Sequence, residues 1–169
     1  LEPRMKPSAI LATNTSSIML EPLAEQLARP ERLVGLHFFN PVAQMPLVEI
    51  IRSQRAGDAE IQTAIAFARK IDKLPLPCCS APGFVVNRVL VPYMHEALFA
   101  AADGIPLAAI DAAAVSFGMP MGPVELADVV GLDVAKHVGE IVTQSTGRTR
   151  PPLESLDALI AAKKLGRKS

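Results

Sequence analysis

The sequence predicts an α/β unit over residues 1–80 followed by an all-helical unit over 81–169, on three observations. Up to Cys79, short apolar runs bounded by turn residues alternate with one helical period, as in an open α/β sheet. From Phe84 onward only helical spacing is found, punctuated by glycines. Between the two lies Ser80-Ala81-Pro82-Gly83, a breaker-rich stretch suited to a boundary.

Each element follows from local pattern. Ala9-Ile10-Leu11-Ala12 is a short apolar run emptying into Thr13-Asn14-Thr15-Ser16-Ser17, which reads as a buried strand and its loop. A weak helix is expected over 22–29, with Pro22 in its first turn and Pro30 as its stop. Residues 33–39 and 46–52 read as strands joined by a turn over 40–45. Asp58 suits a helix N-cap, and Ile61, Ile65, Ala68 and Ile71 recur at helical spacing over 59–72. Residues 74–79 form a short strand whose Pro75 and Pro77 assign it to a sheet edge.

In the second unit, Val85, Val89, Tyr93, Leu98 and Ala101 mark one side of a long helix that Pro92 bends and Gly104 ends. Further helices are expected over 107–117, stopped by Gly118, and over 123–130, 132–146 and 153–164.

The 169 residues carry 17 basic and 17 acidic side chains. That balance argues against a nucleic-acid or membrane-surface partner. The basic end, Lys163-Lys164-Leu165-Gly166-Arg167-Lys168, reads as a solvated tail. No apolar run reaches the ~18 residues of a membrane span. Cys78 and Cys79 are adjacent, a spacing that suits neither a mutual disulfide nor zinc. They read as two small buried residues in a reducing, cytoplasmic compartment, and no metal site is expected. No signal peptide is read in the sequence, and the opening Leu1 suggests an excised piece.

Two residues stand out chemically. His37 ends a strand before a turn, where α/β folds build sites, although a lone strand histidine is more often structural. Glu49 interrupts the apolar run Leu47-Val48-Glu49-Ile50-Ile51, where a carboxylate is costly unless paired. An antiparallel hairpin centred on Ala43 sets the two face to face. A carboxylate bonded to one ring nitrogen would fix the tautomer and leave the other nitrogen to accept a proton. A structural ion pair or an exposed edge glutamate fits the same spacing. Taken alone, Asn14 and Ser16 are turn or cap residues, Asn40 a turn residue and Asn87 a helix-terminus residue. His95 and His137 have no partner at helical spacing and read as structural.

Taken together, Asn14-Thr15-Ser16-Ser17, His37-Phe38-Phe39-Asn40-Pro41-Val42, Met45-Pro46-Leu47-Val48-Glu49-Ile50, Pro82-Gly83-Phe84-Val85-Val86-Asn87-Arg88, Gly118-Met119-Pro120-Met121-Gly122-Pro123 and Gly131-Leu132-Asp133 resemble the 3-hydroxyacyl-CoA dehydrogenase family in order and spacing. The wording is most similar to the dehydrogenase part of multifunctional fatty-acid-oxidation proteins. The resemblance implies the end of a Rossmann-type NAD domain followed by the family's helical C-terminal domain. It implies oxidation of the 3-hydroxyl of a 3-hydroxyacyl-CoA to the 3-ketoacyl-CoA, with NAD, in fatty-acid β-oxidation. It gives His37 the role of base and Glu49 that of its orienting carboxylate. Ser16 and Asn87 would bind the reacting oxygen region of the substrate, and Asn14 and Asn40 would lie near the nicotinamide. Such a site would lie between the two domains.

The family's GxGxxG phosphate loop has no counterpart among the glycines of this chain. The resemblance therefore implies that most of the NAD domain lies outside it, and that the chain alone binds NAD weakly or not at all and turns over little. The expected partners are an acyl-CoA substrate and a second subunit, as a homodimer or within a multifunctional complex. Two other readings fit the residues: a helical dimerisation module without activity, and a related dehydrogenase of a non-CoA hydroxy acid.

Overall fold

The computed structural model describes residues 2–149 and 151–167 and divides the chain into two compact units, Leu1–Val85 and Val86–Ser169. The expected basic end runs past these limits, so Lys168 lies outside the described residues.

The first unit is a four-stranded mixed sheet: β1 (Leu11–Thr13), β2 (Leu33–Phe38), β3 (Leu47–Arg52) and β4 (Leu74–Cys79), in that spatial order. β1 and β2 are parallel, β2 and β3 form the expected antiparallel pair, and β3 and β4 are parallel. The turn between β2 and β3 closes with the Gln44 and Met45 N–H groups donating to the Pro41 carbonyl, at 2.9 and 3.0 Å. The parallel pair β3–β4 is joined by α2 (Asp58–Lys70). On β4 the even-numbered N–H groups point to β3: Leu74 donates to Pro46 at 2.7 Å and Ser80 to Arg52 at 2.8 Å. Pro75 and Pro77 fall on the opposite parity, so their missing N–H groups cost the ladder nothing, and they deny donors to the outer edge.

Strand alternation sorts the core. Val34 and Leu36 of β2 and Val48 and Ile50 of β3 pack against Ile61, Ala64, Ile65 and Ala68 of α2. Leu33 and Ile51 fall on the other face with Leu20, Ala24 and Phe84. Ile71, expected on the buried stripe of α2, is the exposed C-cap residue. Gly57, not Asp58, is the N-cap of α2; Asp58 starts the helix and accepts Arg52.

The helix expected over 22–29 is shorter: α1 is Glu21–Ala24. Beyond it the Gln26 and Leu27 N–H groups bond three residues back. The Glu2 carboxylate captures the Ala28 and Arg29 N–H groups at 2.8 and 3.0 Å, leaving no helical ladder to extend. Cys79, expected to be buried, is exposed on the edge strand, and Cys78 is half-buried; both thiols are free.

The second unit contains α3 (Val86–Ala102), α4 (Leu107–Phe117), α5 (Pro123–Val130), α6 (Leu132–Thr146) and α7 (Glu154–Ala161). Its small core joins Val91 of α3 to Val138 and Val142 of α6. The expected face of α3 was misplaced: Val85 and Val89 are exposed, while Val91 and Ala97 are buried. Apolar residues at three successive positions, 89–91, leave the helical period without a phase. α3 runs through Pro92 without a break. α4 ends at Gly118, whose φ of 118° is the left-handed geometry expected of a C-cap. α7 stops before the expected 164 because Lys163 turns left-handed, at φ 58°, and the 163–164 N–H groups fold back on Ile160 and Leu159.

One polar side chain organises α4 and α5. Asp111, set in an otherwise uncharged helix, accepts the Val124 and Glu125 N–H groups at 2.8 and 3.0 Å. It supplies the N-terminal cap that Gly122 and Pro123 cannot provide. Arg167 closes the described chain on α5 through Glu125 at 2.9 Å, so the basic end is anchored there.

Candidate active site

Strand parity places His37 and Glu49 on the sheet face opposite α2, where they are direct cross-strand partners. His37 Nδ1 lies 2.6 Å from Glu49 Oε2, with side-chain exposures of 8% and 0%. The expectation of a facing pair is met by the geometry. Oε1 of the same carboxylate accepts the Val85 N–H at 2.8 Å. Burial disfavours a carboxylate's charge, whereas hydrogen bonds donated to the carboxylate favour the ionised form. An ionised Glu49 requires the ring proton on Nδ1, which leaves the Nε2 lone pair as the basic site. The imidazole packs against Phe39 at 4.5 Å and Phe84 at 5.8 Å between ring centroids.

Among the other candidates, Asn14 Oδ1 accepts the Phe38 N–H at 3.0 Å. This side chain ties the loop after β1 to β2, one residue from His37. Ser16 is half-buried in that loop, whose Thr15 Oγ1 accepts the Ile18 N–H at 3.0 Å. Asn40 is exposed just past β2, before a cis bond to Pro41. Asn87 is the second residue of α3, in the other unit. Sequence reasoning missed Phe84 and the Val85 main chain: a main-chain donor leaves no mark in residue type, and only Gly83 hinted at an unusual turn.

A dinucleotide pyrophosphate needs free N–H groups at a glycine-lined helix start. The first unit offers two strand-to-helix junctions among the described residues. α1 has four residues, opens on Glu21 and carries Pro22. α2 opens on Asp58 and Glu60, and the space beside Gly57 is filled by the Glu60 carboxylate. Neither fits a doubly charged phosphate bridge. No group of three or more metal-ligating side chains occurs among the described residues. A separate cavity of about 190 Å³ lies within the second unit, lined mainly by aliphatic side chains with His95 and Lys136. Burial lowers the pKa of His95 below the ordinary range, against the opposing charge of Glu96.

The chain is an α/β unit that carries a buried histidine–carboxylate pair, followed by a helical unit. Residues 1–81 match the 3-hydroxyacyl-CoA dehydrogenase NAD binding domain, and residues 83–169 match the 3-hydroxyacyl-CoA dehydrogenase C-terminal domain. The chain belongs to the 3-hydroxyacyl-CoA dehydrogenase family. It is 43% identical over its whole length to the fatty acid oxidation complex subunit alpha of Pseudomonas putida, of which it spans 24%. The (S)-3-hydroxybutyryl-CoA dehydrogenase of Ralstonia eutropha superimposes with a TM-score of 0.89 at 36% identity, covering 96% of this chain and 59% of that one. The 3-hydroxybutyryl-CoA dehydrogenase of Escherichia coli gives 0.88 at 38% identity, covering 96% of this chain and 35% of that one. The chain thus spans about a quarter of the length of the curated relatives it matches. No helix among the described residues is long and apolar enough to cross a membrane.

Proposed function

We propose that this chain supplies the proton-accepting half of an NAD-dependent 3-hydroxyacyl-CoA dehydrogenase acting in fatty-acid β-oxidation. The observation that carries the reading is the buried 2.6 Å contact between His37 Nδ1 and Glu49 Oε2. Nε2 takes the proton of the substrate 3-hydroxyl as that carbon is oxidised. The resulting imidazolium is stabilised through Nδ1–H by the Glu49 carboxylate. NAD would supply the hydride acceptor, and its phosphates would be held outside the two junctions described above, which do not fit them. By the family resemblance, Ser16 and Asn87 would hydrogen-bond the reacting oxygen region of the substrate, and Asn14 and Asn40 would lie near the nicotinamide. In the longer protein, His37→Gln lowers NADH formation from a 3-hydroxyacyl-CoA by about 10²–10⁴-fold. Retained turnover removes the base from this reading.

A second reading, self-association through the helical unit as a homodimer or within a multifunctional complex, is favoured by α4. Its one charged residue, Asp111, is engaged with α5, so apart from Ser116 the exposed surface is apolar, with Phe117 88% exposed. Such a patch marks an interaction surface. Sedimentation across a concentration series tests it: Phe117→Glu shifts a dimer to monomer, and a wild-type monomer at every concentration contradicts it.

A further inference from the structure

The turn before α3 does more than connect. Gly83 and Phe84 both take left-handed backbone, at φ 76° and 48°. For glycine this is unstrained, whereas a bulky aromatic residue rarely adopts it. The turn is fixed from several sides. The Phe84 N–H donates to the Ala81 carbonyl at 2.9 Å. Ser80 Oγ donates to Glu21 at 2.7 Å and accepts the Leu20 N–H at 2.8 Å. The Phe84 ring is 2% exposed, among Leu20, Ala24, Leu33 and Ile51. Strain held this firmly collects where a group must be aimed. Here it aims the Val85 N–H, 2.8 Å from Glu49 Oε1. The Val85 side chain is 40% exposed, so the contribution to the carboxylate is main-chain.

We infer that the left-handed Gly83-Phe84 turn and the Val85 N–H it presents are a positioning device for the His37–Glu49 pair. The inference rests on the proposed role of that pair as the base. The amide holds one carboxylate oxygen ionised and in place, so the other meets Nδ1 and keeps the proton there. Val85 is also the last residue of the first unit.

The test replaces valine 85 by its α-hydroxy-acid analogue, turning the amide N–H into an ester oxygen, in the longer dehydrogenase and in this chain. A displacement of ~1 Å can cost ~100-fold in rate, and we expect kcat to fall about tenfold or more with KM for the acyl-CoA nearly unchanged. In this chain, ¹⁵N signals of His37 report the Nδ1–H tautomer in the wild type and a mixture of tautomers in the ester. Val85→Ala keeps the N–H and retains the Nδ1–H tautomer of the wild type. A folded ester protein with wild-type kcat and tautomer overturns the inference, as does a Val85→Ala variant that behaves like the ester. If the ester chain fails to fold, the wild type still decides: a coupling across the hydrogen bond between Val85 ¹⁵N and Glu49 ¹³Cδ supports the inference, and its absence overturns it. The spectroscopic arms need no turnover, so a failure of the proposed activity is told apart from a failure of the clamp.

Discussion

Ile51 lies across Gly35: a Cβ built on Gly35 would stand 2.7 Å from Ile51 Cβ. The two are cross-strand partners, and the rung two residues further along β2 is His37 with Glu49. The missing side chain at 35 leaves the space that the Ile51 side chain occupies.

Gly35→Ala should therefore be destabilising, even though alanine suits a strand better than glycine. Overpacking of about 1–3 kcal/mol exceeds the ~0.4–1 kcal/mol gained by restricting the unfolded chain. Thermal unfolding of this chain should fall by several degrees. A melting temperature at or above wild type would show that Ile51 moves aside freely.

Asp111 gives a prediction for the helical unit. Its carboxylate accepts two N–H groups at the start of α5. Asp111→Ala should cost about 1–2 kcal/mol in urea unfolding, and Asp111→Asn, which keeps one acceptor oxygen, clearly less. Equal stability of Asp111→Ala and wild type would place the capping elsewhere.

The adjacent thiols should separate chemically. Burial, and after it the charge of Glu49, raises the pKa of Cys78 from 9.0 to about 12, while Cys79 is exposed. Alkylation needs thiolate, and the greater nucleophilicity of a more basic thiolate offsets only about half of the deficit. At mildly alkaline pH, iodoacetamide should label Cys79 on the order of tenfold to a hundredfold faster than Cys78 in the folded chain. The gap should narrow in Glu49→Gln, where the neighbouring negative charge is gone. Equal labelling rates in the native protein would contradict both the burial and the charge assigned to Glu49.

Much of this was legible beforehand because short-range chemistry decided it. Turn residues around Ala43 set the hairpin register, and register alone put His37 opposite Glu49. Gly118, Pro123 and Gly131 bounded α4, α5 and α6 as expected. The failures share a cause: distant partners override local preference. Glu2 takes the N–H groups that would have lengthened α1. Asp111 looks like an interruption of an apolar helix until α5 is seen behind it. The Val85 donor belongs to the backbone, which no residue pattern reports.

The most direct measurement is a double-mutant cycle on the pair in the longer enzyme, comparing kcat/KM for His37→Gln, Glu49→Gln and the double variant. If the imidazole and carboxylate act as one base, Glu49→Gln alone loses about 10²–10⁴-fold, and adding it to His37→Gln costs almost nothing more. Losses that multiply in the double variant would mean two independent contributions, and the shared-base account would be wrong.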